Sequence, residues 1–143
     1  MATVETKWFT RGGKNLVEQE VGWVTGPINV MLMKAAYVFD QDGPEVYADL
    51  SAAEVVGIGY TAGGTALSGR SIGLDASLNE TRLLGNPVQW PNSTITSRGA
   101  VVYATTGSKP VLGYCDFGMD RLSISGLFSI EWPNSIVLRA TAS

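Results

Sequence analysis

From Thr65 onward, β-branched and aromatic runs recur at short intervals, each closed by Gly, Pro or Asn. Such punctuation leaves little room for long helices and much for strands joined by tight turns. The runs cover residues 65–74, broken at Gly69 and Gly73, and 81–84, continuing past Gly85-Asn86-Pro87 as 88–90. Further runs cover 95–104, 111–117, 127–132 and 135–140. This spacing predicts an all-β fold, an antiparallel β-sandwich of jelly-roll-like type. Alternation puts Val111, Cys115 and Phe117 on one face, with Leu112, Tyr114 and Asp116 on the other. It also opposes Leu127, Ser129 and Glu131 to Phe128, Ile130 and Trp132. Two phrases match, Trp90-Pro91-Asn92-Ser93 and Trp132-Pro133-Asn134-Ser135. They read as equivalent strand ends capped by one kind of corner, or as coincidence.

One or two short helices are expected before this β region. Residues 13–24 read as an amphipathic helix on Leu16, Val17, Glu20 and Val21, stopped by Gly26-Pro27. Gly12-Gly13 is either a hinge that frees residues 1–12 as an extended arm or a simple turn. Residues 28–39 are almost continuously apolar and predict a central strand buried on both faces, with a buried helix as the alternative. Asp40-Gln41-Asp42-Gly43-Pro44 is a turn. Ser51-Ala52-Ala53-Glu54 fits a capping box, and Gly57 stands where a left-handed helix stop is easiest. The chain of 143 residues reads as one domain, long enough to hold a core without disulfides or metals.

Composition removes most chemistries. With no histidine, Ser-His-Asp and Cys-His arrangements and the usual zinc sites are excluded. The single cysteine, Cys115, reads as a small buried hydrophobe. Asp40-Gln41-Asp42-Gly43 begins a calcium-loop pattern without completing it. Gly57-Ile58-Gly59-Tyr60-Thr61-Ala62 matches a dinucleotide fingerprint, but it follows a helix start instead of opening a helix. No enzyme activity and no cofactor are therefore expected. A net charge of −3 without a basic cluster argues against nucleic acid. No apolar run is long enough to span a membrane, and no signal-peptide pattern opens the chain, which suggests a cytoplasmic origin. Only 16% of residues are charged, against ~25% in typical soluble proteins, so a partner-covered surface and a compact β domain with Thr, Ser and Asn outside are both open. Of the four tryptophans, Trp90 and Trp132 read as core and Trp8 as the best contact candidate.

The tract Tyr-Ala-Asp-Leu-Ser-Ala-Ala-Glu-Val-Val-Gly-Ile-Gly-Tyr-Thr-Ala-Gly-Gly, from Tyr47 to Gly64, resembles a recurrent segment of small structural proteins of tailed bacteriophages. Similar features follow in order: an apolar strand at Asn29 to Lys34, Ala100-Val101-Val102-Tyr103, Leu112-Gly113-Tyr114-Cys115-Asp116-Phe117-Gly118, and Phe128-Ser129-Ile130-Glu131-Trp132. Residues 1–26 lie outside the resemblance. It implies a virion component, most like a capsid decoration (cement) protein, assembled in the host bacterial cytoplasm. Such a protein would bind the major capsid protein on the shell exterior and form a symmetric dimer or trimer. The contact elements would be the arm, through Trp8, Phe9 and Arg11, and the Gly-rich loop, through Tyr60 and Thr61. A tail or baseplate component is the alternative within that class. A carbohydrate-binding β-sandwich with exposed aromatic platforms is the alternative outside it.

Overall fold

The computed structural model describes residues 5–18 and 22–141. In chain order the elements are β1 (Glu5–Trp8), α1 (Thr10–Glu18), β2 (Ile28–Met33), β3 (Thr65–Ala66), β4 (Ser71–Asp75), β5 (Glu80–Leu84), β6 (Val88–Ala104), β7 (Val111–Ile130) and β8 (Ile136–Thr141). Short 3-10 turns occupy Tyr47–Asp49, Ser51–Ala53 and Pro133–Ser135. The strands form a five-stranded sheet in the order β1-β7-β6-β2-β3 and a three-stranded sheet in the order β4-β5-β8. All pairings are antiparallel. The fold is an all-β sandwich. Its five-plus-three order does not show the two four-stranded Greek-key sheets of a jelly roll.

The backbone of the fold is the β6–β7 hairpin, which runs from Val88↔Ile130 to Tyr103↔Val111. The sequence splits each of these strands in two; the structure keeps them continuous by absorbing the breaks as bulges. Register shifts fall between Trp90 and Ser93, around Pro91, and between Ser93 and Ile95. Pro91 is tolerated there because a bulge asks for no ladder donor. Asn92 and Asn134, the asparagines of the two matching phrases, share a left-handed φ of 53°. Both Trp90 and Trp132 are buried beside them. The first phrase bends a strand, whereas the second forms a 3-10 turn.

Two cores lie on the two faces of the large sheet. The inner core sits between the sheets and joins Val30, Leu32, Val102 and Leu112 to Leu83, Val137 and Leu138. The outer core holds Phe9, Met31, Met33, Val101, Tyr103, Val111 and Tyr114, covered by Tyr37, Phe39, Tyr47, Leu50 and Ala53. β2 therefore is buried on both faces, as its continuous apolar text demands. It ends at Met33, six residues short of the expected 39. The chain then turns back so that Phe39 stacks on Tyr114, with centroids 4.7 Å apart.

Three expectations are corrected. The helix begins at Thr10 and includes Gly12-Gly13, while Glu20 and Val21 lie outside the described residues. Gly12 is no hinge: a Cβ there would overlap the Leu112 carbonyl, so glycine permits close helix–strand contact. Residues 5–12 form no extended arm, because β1 pairs with β7 from Glu5↔Asp116 to Trp8↔Gly113; residues 1–4 lie outside the described residues. Finally, Val111 shares a core with Tyr114, and Leu112 with Cys115 and Phe117. An extra residue in β7, where Val102↔Gly113 is followed by Tyr103↔Val111, reverses the alternation.

Cys115 is fully buried, and burial pushes its thiol up to about 12. It should resist thiol-specific reagents at pH 8 in the native protein and react promptly in denaturant. Rapid native labelling, followed by absorbance, would contradict this packing.

Candidate functional site

The tract from Tyr47 to Gly64 crosses the large sheet beside β2 and β6. Its start is fixed by Asp49, whose Oδ2 accepts the N–H groups of Glu45 (2.9 Å) and Val46 (3.1 Å). These hydrogen bonds hold the Asp49 carboxyl below its usual range. Ser51 donates its hydroxyl to the Ala48 carbonyl (3.3 Å). The expected capping box of Ser51 and Glu54 is therefore not formed. Glu54 has an extended backbone, bridges Met33 and points its side chain inward. Gly57 does not stop a helix; it lies in this extended run, against the Thr94 carbonyl.

Glu54 is only 4% exposed. Its carboxyl group accepts hydrogen bonds from the Tyr47 hydroxyl (2.5 Å), the Tyr60 hydroxyl and the Gly63 N–H (2.7 Å). Tyr60 in turn accepts the Leu32 N–H at 3.0 Å. The Gly63 carbonyl accepts from the Tyr103 hydroxyl (2.5 Å) and the Asn29 side-chain amide (3.2 Å). One carboxyl thus ties both ends of the tract to β2 and β6. Burial, then the bond to Glu54, raises the pKa of the Tyr47 and Tyr60 hydroxyls; burial also raises that of Tyr103. With both carboxyl oxygens engaged, this is a clamp and not an open reactive group.

The clamp fixes what lies between its ends. Val55 enters the inner core, while Val56 and Ile58 point outward and are 89% and 74% exposed. Ile58 bridges Thr94, whose N–H donates to the Ile58 carbonyl at 2.9 Å. On the same outer face of the sheet, Leu122 and Ile124 of β7 are exposed as well. The Gly-x-Gly-x-x-Ala text therefore serves an extended path, not a phosphate-binding turn. Among the described residues, no cluster of three or more His, Cys, Asp or Glu side chains is placed to hold a metal, and no helix is long and apolar enough to cross a membrane.

The five sequence-predicted contact residues are not gathered into one surface. Trp8 is half-buried and donates its indole N–H to the Arg139 carbonyl (2.7 Å). Phe9 is wholly buried in the outer core, which corrects its reading as a contact residue. Arg11 is exposed and pairs with Glu45 at 2.8 Å. Tyr60 belongs to the clamp and packs on the inner core; Thr61 is exposed beside it. The remaining tryptophans, Trp23, Trp90 and Trp132, are buried, so they offer no stacking platform to a sugar. Sequence reasoning missed Glu54 as the hub and Val56 and Ile58 as the exposed pair. The usable signal was a carboxyl, Glu54, set directly among Ala and Val residues between two tyrosines. Comparison of the chain with protein-family models, with curated proteins and with solved structures gives no match.

Glu54→Ala leaves three donors without their acceptor and should lower unfolding free energy by about 3 kcal/mol or more, whereas Tyr60→Phe should cost about 1–3 kcal/mol. Urea titration measures both; a neutral Glu54→Ala would contradict the clamp. The raised tyrosine pKa values mean that the folded chain holds those protons more tightly than the unfolded chain. Their stabilising contribution is complete below about pH 10 and lost as pH rises through the folded values. Melting temperature should therefore be unaffected by these groups up to about pH 10 and fall above it, less steeply in Tyr47→Phe.

Proposed function

We propose that this protein is a non-enzymatic structural component of a tailed-phage particle, a decoration protein that binds the major capsid protein on the shell exterior and cements adjacent capsomers. The observation that carries the reading is that the tract resembling phage structural proteins is also the tract that the clamp holds rigid and that turns Val56 and Ile58 to solvent. Two exposed β-branched side chains on a fixed backbone suit a contact within a repeating lattice, here between copies of the protein in its symmetric unit, since little conformational freedom is lost on docking. A stiff sandwich repeated over a lattice resists internal pressure through many modest contacts. A symmetric dimer or trimer is the natural unit. This role needs no cofactor, nucleic acid or membrane.

The second reading is a tail or baseplate part built from the same fold. Quantitative mass spectrometry of purified particles of the virus that encodes the chain separates the two. A copy number equal to that of the shell protein, or a simple fraction of it, is the expected result. A ratio of a few per cent would move the protein to the tail, and absence from particles would overturn the virion reading.

A further inference from the structure

The outer face of the large sheet is covered only in part. Near the β6–β7 turn it carries the outer core under Tyr37, Phe39 and Tyr47. Further along the same hairpin the face is bare. There Thr96 pairs with Leu122, and Thr94 is bridged to Ile58; two residues earlier in that antiparallel run, Val56 stands beside Thr96. Ile124 continues the outward alternation from Leu122, because Ser123 between them is buried. Two rows result, Val56–Thr96–Leu122 and Ile58–Thr94–Ile124; in the second a bulge sets Ile124 and Ser125 together against Thr94. Each reads apolar, threonine, apolar, and each is symmetric about β6.

We propose that this face is the interface of a two-fold dimer, and that its occupant is a second copy of this chain. With the two-fold axis parallel to β6, the flanks exchange. Val56 then meets the partner's Leu122, Ile58 meets the partner's Ile124, and the threonines meet their own copies. Such an interface is self-complementary, as a two-fold contact requires. The sheets pack face to face at the usual ~10 Å separation. The four apolar side chains, 89%, 74%, 63% and 75% exposed, present on the order of 500 Å², the size of patch that marks a contact site; a standard interface of ~800 Å² per partner requires the threonines and the charged rim to be covered as well.

Charge fits the same axis. Lys34 follows Met33, which pairs with Gly99, so Lys34 stands level with Arg98 on the Val56 flank. Asp120 lies against Arg98, 3.8 Å away, on the Leu122 flank. Exchange of flanks at one level brings Lys34, whose exposed Nζ donates to its own Ala52 carbonyl at 3.3 Å, to the partner's Asp120. An axis perpendicular to the strands would not do so. The inference goes beyond the shell reading and survives its failure, since it concerns the isolated chain.

Light scattering coupled to size exclusion, on the purified full chain at micromolar concentration, tests it. The expected mass is twice the 15.2 kDa of one chain, falling to one chain in Ile124→Glu with an unchanged circular dichroism spectrum. Lys34→Glu and Asp120→Lys should each weaken dimerisation about tenfold, and the double variant should regain most of the loss. A monomeric or trimeric wild type would overturn the proposal and leave the face to another protein. A dimer indifferent to Ile124→Glu would place the contact elsewhere. A double variant no tighter than the singles would overturn the axis.

Discussion

A carboxyl group taken out of water must find partners inside the protein, and Glu54 finds three. That requirement organises the first half of the chain. The Tyr47 and Tyr60 hydroxyls come from thirteen residues apart, and the Gly63 N–H from beyond them. To satisfy one acceptor, the whole tract must close on β2 and β6. The second layer, in which Leu32, Tyr103 and Asn29 bond to Tyr60 and Gly63, anchors the closure to the sheet. Partial satisfaction would be worse than an apolar side chain here, because each lost partner leaves a buried polar group alone. The network therefore behaves as one unit, and it selects one path for a segment that has little regular structure of its own.

The β6–β7 hairpin supplies the frame on which this happens. It is long enough to serve both cores and then to extend past the aromatic cover. Its bulges make that length possible. They admit Pro91, correct the face of Val111, and reset alternation where the strands would otherwise drift. The second sheet closes the inner core alone. On the other face, cover ends with the loop carrying Tyr37, Phe39 and Tyr47, and the exposed rows begin. The clamp and the bare face are thus consequences of one geometry: the tract lies beside β6, seals the inner core with Val55 and shows Val56 and Ile58 to solvent.

Much of the fold was legible in the residues. Strand text punctuated by Gly, Pro and Asn predicted the all-β sandwich, and the continuous apolar run at β2 predicted burial on both faces. Alternation at residues 127–132 grouped Phe128, Ile130 and Trp132 on one face, and all three are buried. Failures came where a non-local contact outweighed a local signal. Gly12-Gly13 looks like a breaker until Leu112 is seen against it. Ser51 and Glu54 have capping-box spacing, but the two tyrosines take the carboxyl, the Ser51 hydroxyl turns back to the Ala48 carbonyl, and the Glu54 N–H donates to the Ser51 carbonyl. The bulge at Leu112 has no distinctive residue to announce it. Phe9 looked like part of a free arm because the pairing of β1 with β7 spans more than a hundred residues.

Amide hydrogen exchange at Gly63 and Leu32 tests most directly whether the Glu54 clamp holds the tract. Both N–H groups donate into it, Gly63 to Glu54 and Leu32 to Tyr60. The account predicts that Gly63, although it sits in a glycine-rich loop, exchanges as slowly as the β6 core amide of Val102, and that Glu54→Ala speeds Gly63 far more than Val102. Exchange of Gly63 at the rate of an open loop in the wild-type protein would contradict it.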